Sequence, residues 1–168
     1  DALLELHGNA TTVLERLDIS GPHREPEVAA LAGSGETATV HREHGVEYAL
    51  DHSEVMFSPG NKAERARMGT VVDRDDAVLD MFAGIGYFTL PMADAGATVT
   101  AVERNPTAFE YLRENVERNA VADHVATYRA DCRTVEATAD RVVMGHYDAH
   151  AYLDHGLDAV APGGTVHY

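Results

Sequence analysis

The apolar run Val78-Leu79, closed by Asp80-Met81-Phe82-Ala83-Gly84-Ile85-Gly86, is followed at a measured distance by Val99-Thr100-Ala101-Val102-Glu103, and this pairing confines the chain to few architectures. The first run reads as a buried strand, Gly84 and Gly86 let its end turn tightly against a ligand, and Tyr87 to Ala93 reads as the helix that follows. The second run ends in an acid about 20 residues beyond the glycines. An acid so placed stands at the tip of the neighbouring parallel strand, where its oxygens accept from both hydroxyls of a ribose. A nucleoside-containing cofactor is the first inference.

Asp80 and a missing glycine narrow the choice. A dinucleotide fingerprint has a third glycine and a pyrophosphate on the helix N-terminus, whereas here Thr89 follows and a carboxylate stands four residues before Gly84. An anion there repels a pyrophosphate and attracts a cation, and S-adenosylmethionine offers an ammonium and a sulfonium. Asp80-x-Phe82-x-Gly84-x-Gly86 resembles the first motif of class I S-adenosylmethionine-dependent transferases, with Glu103 matching their ribose-binding acid.

Strand and helix patterns alternate from Asn61 onward: helix about 61–72, strand 77–81, helix 86–96, strand 98–103, helix 107–119, strands 125–129 and 141–145, helix 148–160, strand 164–168. Such alternation gives an α/β fold with a doubly wound, mostly parallel sheet. Before it, Thr11 to Ile19, Glu27 to Leu31, Thr37 to His41 and Val46 to Leu50 show β-like alternation, with Ser20 to Glu25, including Gly21 and Pro22, as a connector. Residues 1–54 are expected to form a small β-rich domain and 55–168 the cofactor-binding domain. The chain begins at Asp1 and stops at Thr165-Val166-His167-Tyr168 in what reads as mid-strand, so a longer native protein is expected.

The 168 residues carry a formal net charge of −15, with Lys62 the only lysine. Excess acid on a nearly lysine-free background fits a halophilic source, where salt screens self-repulsion. Cys132 is alone, so no intramolecular disulfide is possible and a reducing, cytoplasmic setting fits. No apolar run is long enough to span a membrane. No metal site and a monomeric state are expected.

Other residues gain places around the sheet. Asn105 precedes Pro106 as an N-cap and stands beside Glu103. Asp131 follows the third strand, where an acid accepts from an adenine amino group, and reads equally as a solvated loop acid; Cys132 is next to it. Phe57-Ser58-Pro59-Gly60-Asn61 opens the helix before the first strand, and Ser58 and Asn61 read equally as turn and cap residues. Arg65, on that helix, is a cation suited to a methionine carboxylate.

Glu47-Tyr48-Ala49-Leu50-Asp51, Val55 to Asn61, Glu64-Arg65, Asp80 to Gly86 and Ala139 to His146 resemble the archaeal and eukaryotic enzymes that modify the purine at position 37 of tRNA. The resemblance implies tRNA as partner and S-adenosylmethionine as group donor. Two branches share the framework: a guanine-37 N1-methyltransferase, and a wybutosine-pathway aminocarboxypropyltransferase acting on 4-demethylwyosine. The first carries an Asn-Leu-Pro-like tripeptide after the fourth strand; this chain has Gly145-His146-Tyr147, which resembles the second. That branch implies that Ser58 and Arg65 hold the amino-acid end of the donor, Glu103 the ribose and Asp131 the adenine. His146, Tyr147 or His150 then stands as candidate acceptor of the proton lost by the ring carbon.

Overall fold

The structure is a computed structural model that describes residues 2–21 and 23–168; Asp1, and Pro22 in the expected connector, lie outside the described residues. A short helix α1 (Ala2–Leu6) precedes four strands, β1 (Thr12–Ser20), β2 (Glu25–Gly33), β3 (Ala38–Glu43) and β4 (Val46–Asp51). They form two antiparallel hairpins, β1-β2 and β3-β4. In the second, Glu43 faces Val46 across a two-residue turn whose His44 and Gly45 have φ of 50° and 87°, the left-handed pair that matches strand twist.

The remaining elements are α2 (Lys62–Val71), β5 (Ala77–Asp80), α3 (Thr89–Asp94), β6 (Thr98–Val102), α4 (Pro106–Arg118), β7 (Val125–Tyr128), β8 (Ala139–Val143), α5 (Leu153–Ala159) and β9 (Val160–His167). The five strands are parallel in the order β7-β6-β5-β8-β9, the doubly wound sheet that the alternation requires. Successive residues of β5 feed opposite faces: Val78 packs with Val99, Leu90 and Leu112, and Leu79 with Val142, Met144 and Cys132.

Several boundaries differ from expectation: α1 was not foreseen, and α3 spans Thr89–Asp94 rather than 86–96. β8 begins at Ala139 rather than 141, and the expected helix 148–160 divides into a 3-10 turn at Ala149–Tyr152 and α5. β9 begins at Val160 because Ala139 already pairs with it, and the Pro162-Gly163-Gly164 stretch is a bulge before Thr165 meets Arg141.

The second hairpin is welded to the sheet. Val46, Tyr48 and Leu50 lie in the same buried cluster as Val78, Val99 and Leu112, so the core continues across residue 54. Two asparagines one turn apart on α4 satisfy the outer edge of β4. Asn115 accepts from Ala49 N at 2.7 Å and donates to Ala49 O at 3.1 Å and Ile85 O at 3.0 Å. Asn119 likewise accepts from Glu47 N at 2.9 Å and donates to Glu47 O at 2.7 Å. These amides stand in for a neighbouring strand and close an edge that otherwise needs a partner.

Candidate active site

A cavity of about 410 Å³ opens at the C-terminal tips of β5, β6, β7 and β8. This is where ligands bind in sheets of this topology. Of the residues expected from sequence, Ser58, Arg65, Phe82, Gly84, Glu103, Asn105, Asp131, Cys132, His146 and Tyr147 line it; Asp80 and Gly86 do not.

Glu103 and Gly84 are built together. Gly84 N donates to Glu103 Oε2 at 2.8 Å and Asn105 N to Oε1 at 2.6 Å, so both carboxylate oxygens are oriented by backbone donors. Burial raises the Glu103 pKa against these hydrogen bonds. Gly84 adopts φ 57°, and a Cβ there would stand 2.3 Å from the Tyr87 ring. Only glycine keeps this approach open. Asn105 caps α4, accepting from Thr107 N at 2.9 Å and Ala108 N at 3.4 Å.

The structure corrects the role expected of Asp80. It is fully buried beneath the cavity, where Oδ2 accepts from Thr89 Oγ1 at 2.7 Å. The threonine in place of the third glycine is therefore the partner of the acid, and together they brace the turn after β5; neither lines the cavity. Gly86 also serves packing: a Cβ would come within 2.8 Å of Leu90.

Burial pushes the Asp80 pKa up from 3.8 to about 6 despite the Thr89 hydrogen bond. The folded state thus holds a proton that the unfolded chain releases across that window, and stability falls as pH rises through it. We expect Asp80→Asn to remove this one contribution, so that the difference in unfolding free energy between the two proteins changes by about 2–3 kcal/mol between about pH 4 and 6. Urea denaturation at stepped pH measures this, and an unchanged slope would show that Asp80 titrates normally.

Asp131 reaches the cavity but also serves Arg133, accepting from its Nε at 2.9 Å and Nη2 at 2.6 Å. The Arg133 hydrogen bonds pull its carboxyl down to about 2. Arg133 in turn lies 4.9 Å over the Tyr152 ring. Cys132 is buried, and desolvation pushes its thiol up to about 11, so it lines the wall as a neutral, apolar group.

Arg65 differs most from expectation. Only 2% exposed, it is held in a two-point ion pair by Glu43 of β3, through Nε to Oε1 and through Nη2 to Oε2 at 3.0 Å. Its Nη1 donates to Ser58 O at 2.9 Å. The guanidinium is thereby committed to the protein rather than free to clamp a donor carboxylate. Desolvation raises the Glu43 pKa, but hydrogen bonds from Arg65 and His41 outweigh it and hold the carboxyl below its ordinary value.

An aromatic cluster is built from residues that follow β5 and β8. Phe82 stacks on His146 at 5.0 Å, meets Tyr152 edge-on at 5.1 Å, and His146 lies 4.5 Å from Tyr147. His146 Nδ1 accepts from Asp148 N at 3.2 Å, which places the neutral ring's proton on Nε2. Burial also lowers its pKa. His146 therefore lines the cavity as a neutral ring stacked on Phe82, with Nδ1 engaged by the Asp148 amide. Tyr147 is exposed, with Arg24 4.4 Å from its ring centre, and His150 does not line the cavity.

Arg16, His23 and Arg24 of the first hairpin, with Tyr87 and Phe88, are lining residues that sequence reading missed. The hairpin lies some sixty residues before the glycine turn and carries only strand alternation. Among the described residues no three His, Cys, Asp or Glu side chains converge as metal ligands, and no helix is long and apolar enough to cross a membrane.

The parallel sheet, the acid at the tip of β6 and the open glycine turn define a class I S-adenosylmethionine-dependent transferase fold. The family model described as TRM5/TYW2 methyltransferase domain matches residues 39–168, and the chain belongs to that family. It is 42% identical over 161 residues to the tRNA(Phe) (4-demethylwyosine(37)-C(7)) aminocarboxypropyltransferase of Pyrococcus horikoshii, covering 94% of this chain and 58% of the relative. It is 37% identical over 170 residues to the tRNA (guanine(37)-N(1))-methyltransferase Trm5b of Pyrococcus abyssi, covering 99% and 51%. The structure of P. horikoshii TYW2 in complex with MeSAdo superposes with a TM-score of 0.85 at 38% identity, over 99% of this chain and 61% of that one. The chain thus spans a little over half the length of these relatives.

Proposed function

We propose that this chain is the catalytic part of an enzyme that transfers the 3-amino-3-carboxypropyl group of S-adenosylmethionine to 4-demethylwyosine at position 37 of tRNA(Phe). The observation that supports this branch is the segment after β8, Gly145-His146-Tyr147, standing where N1-methyltransferases carry an Asn-Leu-Pro-like element. Gly145 lets Phe88 approach so closely that a Cβ would lie 2.4 Å from the ring, and His146 stacks on Phe82. An aromatic wall with an N–H donor replaces an amide that reads a guanine edge.

Three carbons are bonded to the sulfonium, and the one aligned with the nucleophile is transferred, so positioning selects the reaction. The C7 carbon of the modified purine attacks the methionine Cγ, the Cγ–S bond breaks with its electron pair passing to sulfur, and neutral 5′-methylthioadenosine leaves. The ring carbon then loses its proton, for which His146 and Tyr147 are the candidate acceptors lining the cavity. Glu103 holds the ribose hydroxyls, Gly84 the close approach beside them, and Asp131, with Cys132 next to it, the adenine edge.

In a chain of net charge −15, Arg16, Arg24 and Arg104 line this cavity, which places positive charge where a tRNA backbone arrives. The acid-rich remainder supports a halophilic, cytoplasmic setting, and the enzyme acts as a monomer without metal. Incubated with S-adenosylmethionine and tRNA carrying 4-demethylwyosine, the protein should release 5′-methylthioadenosine as the main adenosine product on chromatography. Dominant S-adenosylhomocysteine would favour the guanine-37 N1-methyltransferase alternative.

A further inference from the structure

The second hairpin places no residue in the cavity lining among the described residues, yet the last residue of β3 controls one of its walls. Glu43 is 5% exposed and grips Arg65 at two points; His41 Nε2 meets the outer side of the same carboxylate, 2.9 Å from Oε2. The guanidinium lies 4.7 Å from the Phe57 ring centre and donates to Ser58 O, while Arg16 donates to Phe57 O at 2.9 Å. Two successive carbonyls of the Phe57-Ser58 segment are therefore tethered by two arginines, and Glu43 fixes one of them.

The segment's place in the site follows from topology. Glu103 and Asp131 stand beyond β6 and β7, so an adenosine held by them lies on that side of the sheet. Ser58 lines the same cavity from the turn before α2, beside Phe57, which lies 6.0 Å from Tyr87. Of the cavity's walls, this one is assigned to the amino-acid arm of the donor.

We infer that Glu43 is a positioning residue which, acting through Arg65, fixes the Ser58 carbonyl and so shapes the surface that receives the aminocarboxypropyl arm, without touching the donor itself. This rests on the S-adenosylmethionine reading of the cavity. Removing the Glu43 charge frees the guanidinium to rotate and lets the Ser58 peptide drift, which disturbs the arm and leaves the adenosine contacts of Glu103 in place.

Titration calorimetry with two probes tests it: S-adenosylmethionine, and 5′-methylthioadenosine, which keeps the adenosine and lacks the arm. Glu43→Gln should weaken S-adenosylmethionine about tenfold or more and 5′-methylthioadenosine less than about twofold. The double variant Glu43→Gln/Arg65→Met removes both buried charges; it should melt near the unsubstituted chain while keeping the selective loss, because stability returns without the tether. Equal weakening of both probes in the single variant, no weakening of either, or recovery of S-adenosylmethionine affinity in the double variant would each overturn the assignment alone. An unsubstituted chain that binds neither probe would overturn the cofactor reading and the assignment with it.

Discussion

Arg65→Met should lower the free energy of unfolding by about 3–5 kcal/mol, because it leaves the Glu43 carboxylate buried without its cation. The methionine fills much of the volume that the Arg65 side chain occupies beside Phe57, so the loss reports charge rather than a cavity. Its pH dependence is a second signature. The Glu43 pKa lies below the ordinary 4.5, so the pair's contribution is complete above that value and is lost as pH falls through the lowered folded pKa. The difference between the two proteins should therefore be largest near neutrality and shrink on acidification. Urea denaturation at several pH values measures both features; a deficit below about 1 kcal/mol at neutral pH would mean that water already screens the pair.

Glu103→Ala should weaken S-adenosylmethionine binding by about 1–3 kcal/mol through loss of charge-assisted hydrogen bonds to the ribose hydroxyls. The structure adds a reason to expect the upper part of that range. Gly84 N and Asn105 N both lose their acceptor, so the turn after β5 and the start of α4 lose their common anchor. Glu103→Gln keeps one acceptor oxygen for one of the two amides and should fall between the alanine variant and the unsubstituted chain. Calorimetry in concentrated salt, which screens the −15 charge, gives the affinities. Unchanged affinity in a folded Glu103→Ala protein would remove Glu103 from the site.

The central sheet was legible because its evidence is local. An apolar run, a glycine turn and an acid-ended run each announce themselves within a few residues, and they place Gly84 and Glu103 in the cavity. Asp80 was misassigned for a physical reason: a carboxylate at a strand tip looks alike whether it faces a ligand or the helix beneath. The deciding partner, Thr89, is nine residues on and reads as a lost glycine. Arg65 was placed at the cavity, but its ion pair was not foreseen because the partner lies 22 residues upstream in a hairpin whose alternation marks Glu43 only as a strand residue. His146 was placed correctly at the cavity, but its tautomer depends on a backbone amide two residues away, which no pattern of side chains encodes. Asn115 and Asn119 look like ordinary polar positions of a helix until β4 is laid beside them.

The most direct test of the proposed chemistry is mass analysis of the anticodon fragment of tRNA(Phe) after reaction, with tRNA bearing 4-demethylwyosine and tRNA bearing unmodified guanine at position 37 offered in parallel. The fragment bearing 4-demethylwyosine should gain the mass of one aminocarboxypropyl group, and the guanine-bearing fragment should be unchanged. A single methyl group gained on the guanine-bearing fragment, with the 4-demethylwyosine fragment unaltered, would contradict it.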